Sequence, residues 1–145
     1  MAVWGNNVKL RTVTIAGVRD AWPYVRKGLD AMLEKYPDRW IPEDVFCELR
    51  TGQAFLYIID NESEELGFLV VKNYHDFDGL VLFVWIMYSN PGSMKENGNG
   101  KDILDELDAL ARAIGAKRIR YHSPRGGFEQ FDAFELKMHI YEREV

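Results

Sequence analysis

Leu80 to Tyr88 is an unbroken apolar run, and it limits the fold more than any other stretch of the chain. Apolar residues at every position suit a strand covered on both faces rather than one half open to water. The run therefore predicts a central strand of a sheet with helices packed on either side. The polar stretch Lys95-Glu96-Asn97-Gly98-Asn99-Gly100 follows, and then Lys101 to Ile114. In that segment Ile103, Leu104, Leu107, Leu110, Ala111 and Ile114 fall on one helical face, with Lys101, Asp102, Asp105, Glu106 and Arg112 on the other. Gly115 supplies the stop, and Ala116 to His122 reads as the next strand. A strand–helix–strand unit of this length is a right-handed crossover that makes its two strands parallel.

The chain ahead of this unit reads as strand, two helices and two further strands. Val8 to Ile15 is rich in β-branched residues. After Gly17, Asp20 is the expected N-cap, and Ala21, Trp22, Val25, Leu29, Met32 and Leu33 recur at helical spacing to about Lys35. Gly28 inside that helix costs about 1 kcal/mol against Ala, so packing must require it. Pro42 opens a second helix whose apolar face is Val45, Phe46 and Leu49, with Cys47 expected as a buried or half-buried packing residue. Ala54–Ile59 and Leu66–Lys72 read as paired strands. A turn over Asn73–Gly79, closing on Asp78-Gly79, leads into the central strand, so that three strands form an antiparallel meander. Beyond His122, Ser123 to Gly127 is a turn, Phe128 to Leu136 a short helix or irregular segment, and Lys137 to Glu144 a last strand. The expected architecture is a single α+β domain over 1–145 with a mixed, mostly antiparallel central sheet, a β-α-β crossover and helices on both faces.

Charge and cysteine usage narrow the function classes. A net charge of −5 gives no global attraction to nucleic acid or to an anionic membrane. The one cysteine excludes an intramolecular disulfide, and no His spacing suits a metal, so no metal is expected. No apolar run approaches the length of a membrane span, and Met1 to Asn7 lacks the pattern of a signal peptide, so a cytoplasmic protein is expected.

The polar loop Lys95 to Gly100 sits at a helix N-terminus, where unpaired N–H groups and the positive end of the dipole favour a phosphate. Gly98 and Gly100 would let backbone approach such a ligand closely. The same composition also serves as an ordinary strand–helix connector. In element order, and in two glycines spaced as in the acyl-CoA loop (Gln or Arg, then x-x-Gly-x-Gly or Ala), the chain resembles the GCN5-related N-acetyltransferases, the GNAT family. Lys95 stands in the first place of that motif. The resemblance implies acetyl-CoA as cofactor and an amine as acyl acceptor. It implies contacts to the cofactor from Lys95, Glu96, Asn97, Gly98, Asn99, Gly100 and Lys101 around the pyrophosphate, and from Met87, Tyr88 and Ser89 along the pantetheine arm. It implies too that the central strand and the strand ending at His122 splay apart where thioester and amine meet.

The chain departs from the family pattern in several places. Lysine lacks arginine's fork for phosphate, and Asp102, Asp105 and Glu106 put negative charge near a bound polyanion. Leu80–Tyr88 carries no Glu to serve as base, and Arg125–Phe134 has no Tyr to serve as acid. Tyr88 and His122, at the ends of adjacent parallel strands, are the candidate catalytic pair. The phenol would donate to the departing thiolate, and the imidazole would act as base. Against those roles stands the more ordinary reading, with Tyr88 an aromatic at a strand end and His122 a solvated strand-end residue. Arg118, Arg120 and His122 alternate along one face of their strand and, with Lys95, Lys101 and Arg125, form a candidate basic patch. Trp22, Phe46, Phe55, Phe68, Phe83 and Trp85 are expected in the interior. Trp4, Trp40, Tyr74, Phe77, Phe128 and Phe131 fall in loops and ends, where they suit a protein partner or a second copy of the chain. A second functional reading follows: a GNAT-like scaffold with a decayed site, working in binding or assembly, like small virion-associated proteins of bacteriophages.

Overall fold

The computed structural model describes residues 8–62, 64–92, 100–122 and 135–145. Among these, the strands β1 (Lys9–Val13), β2 (Phe55–Asp60), β3 (Glu65–Asp76), β4 (Gly79–Ser89) and β5 (Arg118–Tyr121) form one sheet in that order. Neighbours from β1 to β4 are antiparallel, and β5 runs parallel to β4. The helices α1 (Val18–Lys35) and α2 (Pro42–Arg50) precede β2, and α3 (Gly100–Ile114) makes the crossover from β4 to β5. This is the expected mixed, mostly antiparallel sheet with helices on both faces.

Two apolar clusters explain the layering. On one face Val25 and Leu29 of α1 and Val45 and Leu49 of α2 pack against Leu56, Ile58, Phe68, Val70 and Ile86. On the other, Ile103, Leu107 and Ala111 of α3 meet Ile59, Leu69, Val71, Leu82 and Val84. The middle of β3, Leu66 to Val71, is buried throughout, as a strand covered on both sides must be. Residue parity along β3 sorts the faces, with Phe68 and Val70 toward α1 and α2, and Leu69 and Val71 toward α3.

Local chemistry sets the element ends. The Asp44 carboxylate accepts the Ile41 N–H at 3.0 Å ahead of α2, whose first residue is Pro42. Gly115, at φ 80°, ends α3, and the Ala116 N–H returns to the Ala111 carbonyl at 2.8 Å. At the start of α1 the cap is Gly17, not Asp20, which stands inside the first turn. The turn expected over Asn73–Gly79 shrinks to Phe77-Asp78. β3 runs on to Asp76, paired with Gly79, because the polar residues Asn73 and His75 simply occupy exposed positions of a continuing strand. Phe55 and Cys47, both expected to pack, are exposed.

The strand expected over Lys137–Glu144 does not form, and residues 135–145 carry no regular structure and lie exposed. A period-2 pattern gives a segment the capacity for a strand, but a strand exists only when an edge receives it. The segment expected over Phe128–Leu136 lies mostly outside the described residues.

Candidate active site

The feature that shapes the site is an irregularity in β4. Val84 pairs with Val71 and Ile86 with Val70, so Trp85 is an extra residue, a β-bulge. It resets the parity of the strand. Leu82 and Val84 face α3, whereas Ile86 and Tyr88 face α1 and α2. Pairing with β5 stops at the same level, at Val84 with Tyr121. From Trp85 to Ser89 the outer edge of β4 therefore pairs with no strand among the described residues. Every second residue there turns its N–H and C=O away from β3. Such an edge can receive an extended ligand that carries amides. The Met87 side chain packs on the α3 side, so only its backbone lies along this edge.

Four contacts fix the end of β4. Gly67 lies so close to it that an added Cβ would stand 2.0 Å from the Tyr88 carbonyl oxygen, an approach only glycine allows. The Asn90 N–H donates to the Leu66 carbonyl and its side-chain amide to the Glu65 carbonyl, each at 2.8 Å. The Tyr24 hydroxyl of α1 donates to Asn90 Oδ1 at 2.9 Å. Burial pushes the Tyr24 phenol up to about 12.

Tyr88 is half-buried, stacked on Phe68 with ring centroids 5.2 Å apart. Gly28 of α1 explains itself here, since a Cβ would meet Phe68 Cε2 at 2.5 Å and Tyr88 Cδ2 at 2.9 Å. His122 is exposed, with its ring 4.6 Å from that of Phe83. By register His122 comes level with Trp85, and β4 continues to Tyr88 about 10 Å further on, at roughly 3.3 Å per residue. The structure thus places Tyr88 and His122 at different depths of one opening and does not bring them into contact.

Near Trp85 the α1–α2 face is aromatic. Trp40, from the connection between α1 and α2, meets Trp85 edge-on at 6.2 Å, and Tyr74 meets Phe83 at 6.0 Å. Both Trp85 and Tyr74 already carry cations of the chain itself. Lys72 Nζ stands 3.9 Å over Trp85 while bonded to Glu48 at 2.8 Å, and Arg120 donates to the Tyr74 hydroxyl at 2.6 Å. Arg118 and Arg120 both turn to Asp76. The Asp78 N–H, followed by Arg118 and Arg120, holds the Asp76 carboxyl below its ordinary range. Arg118 also stands 3.8 Å from Asp78, so the two arginines of β5 face two carboxylates. A shallow cleft beside Arg11 and Asp20 contains none of the candidate site residues, and a second, beside Gln53 and Phe55, is bordered by Lys72 and Tyr74.

Gly100 is the first residue of α3. The loop residues Lys95, Glu96, Asn97, Gly98 and Asn99 lie outside the described residues. Of the acidic residues near this helix end, Glu106 is directed at β1, where its carboxylate accepts the Leu10 N–H at 3.2 Å and stands 4.0 Å from Lys9 Nζ.

No protein-family model matches the sequence, and a search of curated proteins gives no match. The solved structures speak to the fold. An aminoglycoside acetyltransferase from an uncultured soil metagenomic sample, in complex with sisomicin, superposes with a TM-score of 0.68 at 12% identity, covering 97% of this chain and 98% of its own. A ribosomal-protein-alanine N-acetyltransferase from Brucella melitensis biovar Abortus 2308 gives 0.66 at 16%, covering 95% and 99%. An integron cassette protein from the mobile metagenome of Cole Harbour Salt Marsh gives 0.69 at 14%, covering 94% and 90%. This is the GNAT fold. Within it, sequence reasoning placed β4, α3 and β5 in order but missed the bulge at Trp85, the Tyr24–Asn90 link and the close approach at Gly67. Gly28 gave the one signal in advance, as a helix-interior glycine that packing had to explain.

Proposed function

We propose that the protein is a GNAT-family N-acyltransferase that moves an acetyl group from acetyl-CoA to an amine. The observation that carries this reading is the joint end of the β4–β5 pairing and the β4 bulge, in a fold shared with acetyltransferases. Together they leave an open strand edge on the side of β4 toward β5, in the unit that leads into the N-terminus of α3. The edge over Met87, Tyr88 and Ser89 fits an extended arm bearing two amides. The loop Lys95–Asn99 with Gly100 and Lys101 offers N–H groups to a pyrophosphate. The thioester supplies the activated acyl group. Tyr88 gives its phenolic proton to the leaving sulfur. His122, at the exposed mouth, takes up the proton that the acceptor nitrogen sheds, through water given its distance from Tyr88.

The acceptors named for two of the similar structures, an aminoglycoside and a ribosomal-protein alanine, differ so widely that the fold selects neither. Trp40, Trp85, Phe83 and Tyr74 would form the wall against which the acceptor lies. The separation of Tyr88 from His122 favours the second reading, a binding or assembly protein on the same scaffold.

Release of free thiol from acetyl-CoA, followed across a panel of amines, separates the two. The transferase reading expects amine-dependent release that Tyr88→Phe slows by about 10²-fold or more, the usual worth of a general acid. Acetyl-CoA binding without turnover on any amine would leave the scaffold reading standing.

A further inference from the structure

A lysine near the end of a helix-covered strand ordinarily carries its charged head out into water. Lys72 instead folds back onto the α1–α2 face. Its Nζ stands 3.9 Å over the Trp85 ring and pairs with the Glu48 carboxylate of α2 at 2.8 Å. Trp40 meets the same ring edge-on, and the Trp40 indole N–H donates to Asp38 at 3.1 Å. Two indoles thus lie between two carboxylates, with one ammonium of the chain seated among them.

The neighbouring arginines are engaged elsewhere. Arg120 goes to the Tyr74 hydroxyl and Asp76, and Arg39 to Glu142 and Glu144. Lys72 is free to leave its place. The Lys72 and Glu48 side chains are 30% and 25% exposed, and an ion pair open to water in this way is weakly held. A shallow cleft of about 580 Å³, bordered by Glu48, Gln53, Lys72 and Tyr74, lies ready for the displaced head. An aromatic face beside a carboxylate is the chemistry that recognises an alkylammonium, and Lys72 shows that one fits.

We propose, on the acyl-transfer reading above, that Trp85 and Glu48 seat a second, non-reacting ammonium of the acceptor in place of Lys72, so that the acceptor is an aliphatic diamine or polyamine. Trp85 begins the open edge of β4. The level of Met87 and Tyr88 lies about 7–10 Å further on, at roughly 3.3 Å per residue, a gap that a short alkane chain spans. The seated nitrogen keeps its proton. The far nitrogen reacts as the neutral amine: its lone pair forms the C–N bond at the thioester carbonyl as the C–S bond breaks. The leaving sulfur takes a proton from Tyr88, and the nitrogen sheds one toward His122. A monoamine leaves the seat to Lys72, and an acceptor with a carboxylate at that position meets Glu48 as a like charge.

The test compares cadaverine with n-pentylamine, which differ only in the second amino group. In the thiol-release assay kcat/KM is expected to favour cadaverine by about tenfold or more. Glu48→Gln should bring that ratio toward one. Lys72→Met, which removes the internal competitor, should lower KM for cadaverine roughly threefold, a direction that a merely structural lysine does not give. Calorimetry without acetyl-CoA should rank cadaverine affinity in the same order, Lys72→Met above wild type above Glu48→Gln. Because it needs no turnover, it judges the seat by itself. Equal values for the two amines in wild type overturn the proposal and, where thiol is released, leave acyl transfer standing. Weaker cadaverine binding in Lys72→Met overturns it too. The expected calorimetric order with no thiol release on any amine supports the seat and strikes only the transfer reading.

Discussion

Gly28 shows how one residue ties the core to the site. Alanine there would gain roughly 1 kcal/mol of helix propensity. Its Cβ, however, would press into the buried Phe68 ring at 2.5 Å and into Tyr88 at 2.9 Å, and overpacking of that kind costs about 1–3 kcal/mol. Gly28→Ala is therefore expected to lower stability in urea and, by moving Tyr88, to slow turnover as well. Tyr24 is tested by pH. Its neutral phenol is the form the fold favours, with the folded value raised from 10.0 to about 12 by burial. The stability it contributes is intact below pH 10 and is lost as pH rises toward 12. Tyr24→Phe should cost about 1 kcal/mol at pH 7, and denaturation midpoints of the two proteins should converge between pH 10 and 12. At this scale the sequence was partly legible. Tyr88 and His122 were candidates because aromatic and imidazole side chains at strand ends carry their chemistry in their identity. Asn90 and Gly67 could not, because their roles depend on which strand lies beside them.

The strands and helices were legible in order, and their breaks were not. Leu80–Tyr88 is apolar at every position, so nothing in it marks the change of parity at Trp85. A bulge is visible in a sequence only where apolar and polar residues alternate. The error at Lys137–Glu144 is the converse, since the alternation is real but the segment joins no strand of the sheet among the described residues. Deleting Trp85 tests the bulge at the level of the element. The pairs Val71 with Val84 and Val70 with Ile86 would then be consecutive, so the faces of Ile86 and Tyr88 are kept while the irregularity goes. Cooperative unfolding should persist with about 2–4 kcal/mol less stability for the lost indole. Acetyl-CoA affinity, read by calorimetry, should fall by at least tenfold as β4 straightens toward β5. Unchanged affinity would mean that the bulge does not shape the opening.

Across the whole molecule, one crossover of β4, α3 and β5 beside an antiparallel meander was enough to infer the GNAT fold from element order. The connection Lys95–Asn99 carried the family likeness as a local motif, and its geometry lies outside the described residues. Binding of acetyl-CoA between that connection and the open edge of β4, as proposed, is tested directly by ligand affinity. The measurement is thermal unfolding of wild type and Gly100→Trp, each with and without acetyl-CoA. At roughly 100 times its dissociation constant, a ligand of the folded state alone adds about 2.7 kcal/mol, a rise in midpoint of roughly 5–10 °C for a domain of this size. That rise is expected in wild type and is expected to be lost in Gly100→Trp. No rise in wild type at millimolar acetyl-CoA, or an equal rise in both proteins, would contradict it.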